Sequence, residues 1–519
     1  MSELLLFPGE SGNAFNLLPP ELSDGAQNAL FTYKEAAKDA ANPLLLQRIS
    51  RKIATLALFA DQHLPSHAYD AAALMTLGDQ LQYPNRTRRY RAASDGLHHY
   101  FNRNGRPLEK SNTYVGTLLG DFPHIEASAN SYRQRLSESQ KELLESDEAI
   151  PANAWINFRV GADIPEIARV HHATNVESHL IKAADAVDRI MHAPDDDREL
   201  FRRIIQAESV HSIPLEAYGL HAFDMLLQST AGKMRVSKSG HLQLLEQTSS
   251  LLDRAKTIST EDILHEFFGR KPDGHLFQTA KESLYNEEVI FTSTPLEELT
   301  NDRQQGELHA RFKTVGKYAL KLLRNPNYDI SSINQQPSDL FGMLAVLPSA
   351  SQLGQFFGRT VTSVFANSAI TLKTAASKKK PLFIQGSPGY IRQICQELPP
   401  EVLRHTQINE ICDTPADHMY QVAKFTCELT LGENILPIEF QFQTIADRAN
   451  ARLGKPAHVN HNAKTGGDIA RTIPGTDDDL RIIYSRKLEV DLTGEFVNSR
   501  SIKHGEEFRD RYMKSRNVR

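Results

Sequence analysis

Cysteine is scarce in this chain of 519 residues: Cys395, Cys412 and Cys427 are all there is, and no two stand in CxxC spacing. That argues against a disulfide framework and against a cysteine-built zinc site, and points to a reduced, cytoplasmic protein. Long apolar runs are missing, since none approaches the roughly 18 residues of a membrane helix. The opening MSELLLFPGESG has no basic start and its apolar run stops at Pro8. Neither a signal peptide nor a membrane partner is therefore expected. No charge of one sign dominates: the formal net charge is −5, which gives no global pull towards nucleic acid or acidic lipid. Repeats and low-complexity tracts are absent as well. A chain of this length exceeds one core, so two or three domains are expected.

What is present is clearest at 437–458, PIEFQFQTIADRANARLGKPAH. Ile438, Phe440 and Phe442 alternate with Glu439, Gln441 and Gln443. A period of two places the apolar trio on one sheet face and the polar trio on the other. Thr444 can cap a short helix that Gly454 ends. Just upstream, FTCELTLGENILPIEFQFQT reads as two strands joined by a turn at Gly432–Asn434.

Along the chain, residues 1–40 read as a loosely packed arm and 41–290 as an all-α domain. Two helices are expected between Pro43 and Leu81, a loop over ESDEAIPANAW, and one long helix from Asp195 to Ser212. The polar stretch 292–307 is the expected boundary. Residues 308–465 then form a domain of mixed helix and strand, with LFGMLAVL and PLFI as buried strands, and 466–519 form a tail. The basic run NRTRRYRAA at 85–93 either grips phosphates or is a solvated helix start.

Candidate chemistry gathers in the mixed domain. RFKTVGKYALKLLR reads as one helix carrying Arg311, Lys313, Lys317 and Lys321, the last three every four residues and so on one face. Such a stripe suits a polyphosphate or a solvated surface. Asp339 and Glu439, on neighbouring strands, are the carboxylates that a Mg²⁺ bridging phosphate oxygens would need. Tyr390, behind Gly389 and a lysine-rich run, either stacks on a base or is a plain surface tyrosine.

In order, R-x-K-x7-K, D-L-x-G, K-x10-G-Y and E-x-Q-x-x-T-x9-G-x-x-A-H resemble the synthetase domain of the RelA/SpoT family. The resemblance covers about 310–462. It implies an α+β nucleotidyltransferase-like domain that moves pyrophosphate from ATP to the 3′-hydroxyl of GDP or GTP. Asp339 and Glu439 would be catalytic and hold Mg²⁺. Arg311, Lys313, Lys317, Lys321, Tyr390, Gln441 and His458 would bind nucleotide. In the helical half, SHLIKAADAVDRIMHAP and IPLEAYGLHAFDMLLQ resemble segments of the family's HD-type hydrolase domain, while the family's regulatory C-terminal half has no counterpart.

The departures set the expected function. The hydrolase's metal-binding His-Asp pair reads Thr76-Leu77, its earlier histidine is missing, and behind the matching Asp185 stand Asp188 and Arg189. No hydrolase metal and no hydrolase activity are expected, and His98-His99, His171-His172 and His179 are a poor substitute set. In the synthetase half, family arginines read Leu344 and Gln443, and other family positions read Arg392, Cys395 and Arg448. Leu and Gln cannot replace bidentate guanidinium contacts. The expectation is a catalytically impaired homologue that binds guanine nucleotide, or that acts through a partner such as an active homologue. Two alternatives stand beside it. One is an active Mg²⁺-dependent pyrophosphotransferase using ATP and GDP, GTP or another 3′-hydroxyl such as a tRNA end. The other is a protein-binding adaptor.

Overall fold

The computed structural model describes residues 43–59, 64, 66–79, 111–192, 196–217, 220–270, 277–280, 289–300, 304–324, 339–374, 378–412, 420–448, 473 and 479. The arm, the basic run at 85–93, His98, His99, Gly454, Ala457, His458 and nearly all of the tail lie outside them.

A helical region comes first. Its main elements are α1 (Pro43–Phe59), α2 (Ser66–Asp79), α3 (Ser111–Asn130), α4 (Ala152–Asn157), α5 (Val176–Met191) and α6 (His221–Lys238). In α1 the apolar spacing puts Ile49, Ile53 and Leu56 on one face, and all three are fully buried. Helix α5 is covered on every side. Its Ala183 and Ala184 let α1, α3 and α6 close around it. Two local expectations change. The stretch ESDEAIPANAW contains α4, which starts behind Pro151 and buries Trp155. The long helix expected over 195–212 ends at Gln206, and a π turn at Ala207–His211 leads into Ser212–Ala217. That wider turn lies where Glu208 meets Arg235.

A mixed sheet follows, with nine strands among the described residues. They are β1 (Phe277–Ala280), β2 (Val289–Pro295), β3 (Glu307–Phe312), β4 (Phe341–Leu347), β5 (Ile370–Lys373), β6 (Leu382–Gly386), β7 (Thr406–Glu410), β8 (Val422–Leu431) and β9 (Asn434–Thr444). The order is β1-β2-β3-β4-β9-β8-β6-β7, with β5 also on β8. The pairs β4/β9 and β6/β7 are parallel and the others antiparallel. Three helices matter here: α7 (Val315–Arg324), α8 (Ala350–Ala366) and α9 (Pro388–Glu397). Strands β4 and β6 are the buried strands read from LFGMLAVL and PLFI. The β8–β9 hairpin turns at Gly432, whose φ of 60° is the left-handed backbone that glycine adopts without strain.

The sheet starts earlier than the sequence suggested. Strands β1 and β2 fall within or across the end of the span read as helical, and β2 enters the polar stretch read as a boundary. Thr292 and Thr294 made that stretch look like a linker, but threonine suits a pleated surface and both side chains are buried.

Two apolar cores hold the protein. Ile438, Phe440 and Phe442 of β9 are fully buried on one sheet face. There the rings of Phe267 and Phe268 meet Phe440 edge-on, and Phe357 of α8 does the same to Phe442. The helices Leu242–Ala255 and Thr260–Phe268 belong to this second core, not to the helical one. In return Val289, Phe291, Val346 and Ile445 from the sheet lie in the helical core. The polar sheet face thus looks towards the helical region at its β2–β4 end.

Candidate functional site

Arg311 does not lie on a helix. It is on β3, paired with Phe291 of β2 and Gly342 of β4. Lys313 follows in a turn whose N–H donates to the Leu340 carbonyl at 2.9 Å, and α7 begins only at Val315. The single helix expected over Arg311–Arg324 is corrected to a strand, a turn and a helix. The reason is the alternation in ELHARF, which buries Leu308, Ala310 and Phe312 between two flanking strands. The good helix formers of KYALKLLR concealed it.

That correction still brings lysines together. Lys313 and Lys321 both reach Asp339 Oδ2, at 2.8 and 2.5 Å. Asp339 sits in the turn before β4 and is 7% exposed. Burial alone would raise its carboxyl pKa, but the two ammonium groups outweigh it and hold the group well below the usual carboxylate range. Its Oδ1 is buried with no hydrogen-bond partner. Lys313 itself is pushed down by burial, with Asp339 opposing. Lys317 has another environment. Lys317 is exposed on α7, and partial desolvation by the surrounding protein, opposed by Glu208 and Asp224, lowers its amine to about 8. It remains largely charged at neutral pH.

Glu439 stands on the polar face as expected, in register with Gly342 of β4. Lys424 Nζ donates to its Oε1 at 2.7 Å, and Gln441 Nε2 to its Oε2 at 2.7 Å. Burial would lower the Lys424 pKa, but Glu439 raises it, with a further contribution from Asp339. The two carboxylates therefore border one lysine while each is held by different cations. Gln441 also accepts from the Tyr420 hydroxyl at 3.3 Å. Among the described residues no three His, Cys, Asp or Glu side chains cluster as a metal site.

Tyr390 is neither a surface residue nor an open stacking platform. It is 7% exposed, and a Cβ on Gly386 would come within 2.6 Å of its ring. Ser387 caps α9 by accepting the Tyr390 N–H, which turns the ring inward over β6. Its hydroxyl is buried without a partner, and burial raises its pKa well above the ordinary value. Leu344 and Gln443, where the resemblance places arginines, also point into protein. Leu344 packs on the helical core, and Gln443 is 1% exposed with its carbonyl oxygen unsatisfied. Sequence reasoning missed Lys424, although counting back from the Gly432 turn puts it opposite Gln441.

In the helical region, the positions where the resemblance places the metal site lie among protein charges. Lys52, fully buried on α1, donates to Thr76 Oγ1 at 2.9 Å and forms an ion pair with Asp185. Arg189 and Lys182 also reach Asp185, at 2.8 and 3.5 Å. Asp188 is held by Arg51 at 2.7 Å and Arg48 at 3.3 Å. An ammonium thus bridges Thr76 and Asp185, two positions that the resemblance assigns to metal ligands. His171 and His179 are buried with their rings tilted against each other, centroids 4.0 Å apart, and His179 bonds Thr174 at 2.9 Å.

Compared with known proteins, the chain matches no family model and no curated protein.

Proposed function

We propose that this is a RelA/SpoT-like protein that binds the polyphosphate of a guanine nucleotide, with an HD-type helical domain and a nucleotidyltransferase-like sheet domain, and that its transfer reaction is impaired. The observation that carries the reading is the convergence of Lys313 and Lys321 on Asp339. A phosphate chain can take over those ammonium groups, exchanging one carboxylate for several phosphate oxygens. Impairment follows from Leu344 and Gln443, which present no guanidinium: Leu344 packs on the helical core, and Gln443 is buried. Each lost charge-assisted contact is worth about 1.5–3 kcal/mol.

Magnesium fits Asp339, whose Oδ1 is buried and unpartnered. It fits Glu439 less well, because Lys424 and Gln441 occupy both oxygens. When bound, the ion would neutralise charge on phosphate oxygens. The free Asp339 oxygen is also the one feature favouring a second reading, an active pyrophosphotransferase from ATP to GDP, GTP or a tRNA end.

Calorimetric titration with GDP, GTP and ATP in the presence of Mg²⁺, followed by incubation of labelled ATP with each acceptor, tests both. Binding of guanine nucleotide without labelled product is expected, with affinity reduced about ten- to hundred-fold in K321Q. No affinity for any guanine nucleotide would overturn the first reading. A labelled acceptor would replace it by the second.

A further inference from the structure

A recess in the helical region contains none of the residues of the proposed nucleotide site. One stretch of chain folds against a distant one to make its walls. Arg133 stands on a tight helical turn, Ser131–Arg135. Ser137 then starts the helix Glu138–Glu145 with a capping box: its Oγ accepts the Gln140 N–H at 3.3 Å, and Gln140 Oε1 accepts the Ser137 N–H at 3.0 Å. Within that helix Lys141, Leu144 and Glu145 are three and four residues apart and so share a face. The facing wall is the helix Asp197–Gln206. Its Arg202 Nη2 donates to the Leu144 carbonyl at 2.7 Å, and its Arg198 Nη2 donates to the Glu148 carbonyl. The Leu144 carbonyl belongs to the last turn of its helix and has no partner within it, so Arg202 supplies one.

Between these walls is a cavity of about 280 Å³, and Arg133, Leu136, Lys141, Leu144, Glu145 and Arg202 line it. Small-molecule sites usually measure about 300–1,000 Å³, so this one suits a small ligand. The bond to Leu144 uses one of the five N–H groups of the Arg202 guanidinium, and its Nε has no partner. Arg133 and Arg202 have no ion-pair partner among the described residues, whereas Lys141 is held by Glu138 at 2.6 Å. Two guanidiniums on one cavity favour an oxyanion, whose oxygens accept from paired N–H groups. A phosphate monoester is close to a dianion at neutral pH and matches both charges, where one carboxylate leaves a charge unmatched. Leu136 and Leu144 offer an apolar wall to a carbon skeleton, and Glu145 can accept from a ligand hydroxyl. Bare phosphate would use neither.

We propose that this cavity binds a small phosphate monoester on a short hydroxylated carbon skeleton, with the phosphate held by Arg133 and Arg202. The site needs neither Lys313 nor Lys321, so it stands or falls apart from the nucleotide reading. Glycerol phosphate, orthophosphate and uncharged glycerol are the probes, titrated calorimetrically against the full chain and its R133Q, R202Q and K321Q variants. Glycerol phosphate is expected to bind saturably and about ten-fold more tightly than orthophosphate, and glycerol not to bind. R133Q and R202Q should each weaken glycerol phosphate about ten-fold, as loss of one charge-assisted contact predicts, and K321Q should leave it unchanged. R202Q also removes the bond to Leu144. If it fails to fold, R133Q, whose side chain is exposed, decides alone. Absence of saturable binding, or binding that R133Q leaves unchanged, overturns the site. Orthophosphate bound as tightly as glycerol phosphate overturns the organic ligand.

Discussion

Lys52 is a fully buried ammonium whose position is tolerable because Asp185 and Thr76 meet it. Breaking a buried pair from one side leaves a charge without its counterpart. Lys52→Met should lower unfolding stability by about 3 kcal/mol, moderated by Arg189 and Lys182 at the same carboxylate. Urea unfolding measures it, and an unchanged midpoint would contradict the role given to Lys52. With a built-in cation there, a chelator should leave the midpoint of the unmodified protein where it is. His211 supplies a pH signal. Burial lowers its pKa to about 4, with Lys182 adding to that and Asp185 opposing it. Unfolded histidine titrates near 6.5, so between about 6.5 and 4 the unfolded chain binds the proton and the folded one does not. The contribution is complete above pH 6.5 and lost progressively down to pH 4, about 3 kcal/mol in all. In H211Q the stability should fall less over that window, and identical pH profiles would remove His211 from the account.

At the scale of elements, the crossing of α6 and α7 determines where the site lysines stand. A Cβ on Gly316 would lie 2.0 Å from the Ser229 carbonyl oxygen and 2.6 Å from the Lys233 nitrogen. Backbone atoms cannot rotate aside, so G316A must push α7 away from α6, at a cost of about 3 kcal/mol. Lys317 and Lys321 would move with it. The expected outcome is weaker guanine-nucleotide binding together with a lower urea midpoint, and an unaltered affinity would show that the lysines do not depend on this crossing. The elements also differ in how legible they were. The β8–β9 hairpin was readable because its turn glycine and its alternation agree locally. Strand β3 was not, since six residues of alternation run into a ten-residue helix of strong helix formers. Its strand character comes from pairing with β2 and β4, which lie elsewhere in the chain.

For the whole molecule, the two cores exchange elements. Val289, Phe291, Val346 and Ile445 complete the helical core, while Leu244, Leu251, Ile263 and Phe267 complete the sheet core. Neither region can unfold without exposing apolar surface of the other. Calorimetry should therefore show one cooperative transition, and two resolved transitions would contradict the shared cores. The amino-acid sequence by itself determined the helical first part, the mixed second part and the two-faced β9 strand. Those depend on side-chain period and turn residues within a dozen positions. It also showed Thr76, Leu344 and Gln443 at positions where the resemblance places a metal-binding histidine and two arginines. Only the tertiary structure decided that Lys313 and Lys321 share Asp339, that Lys52 stands between Thr76 and Asp185, and that Tyr390 is buried. Such pairings join positions as far apart as Lys52 and Asp185, and they form only when burial of two interlocked cores brings their helices and strands together.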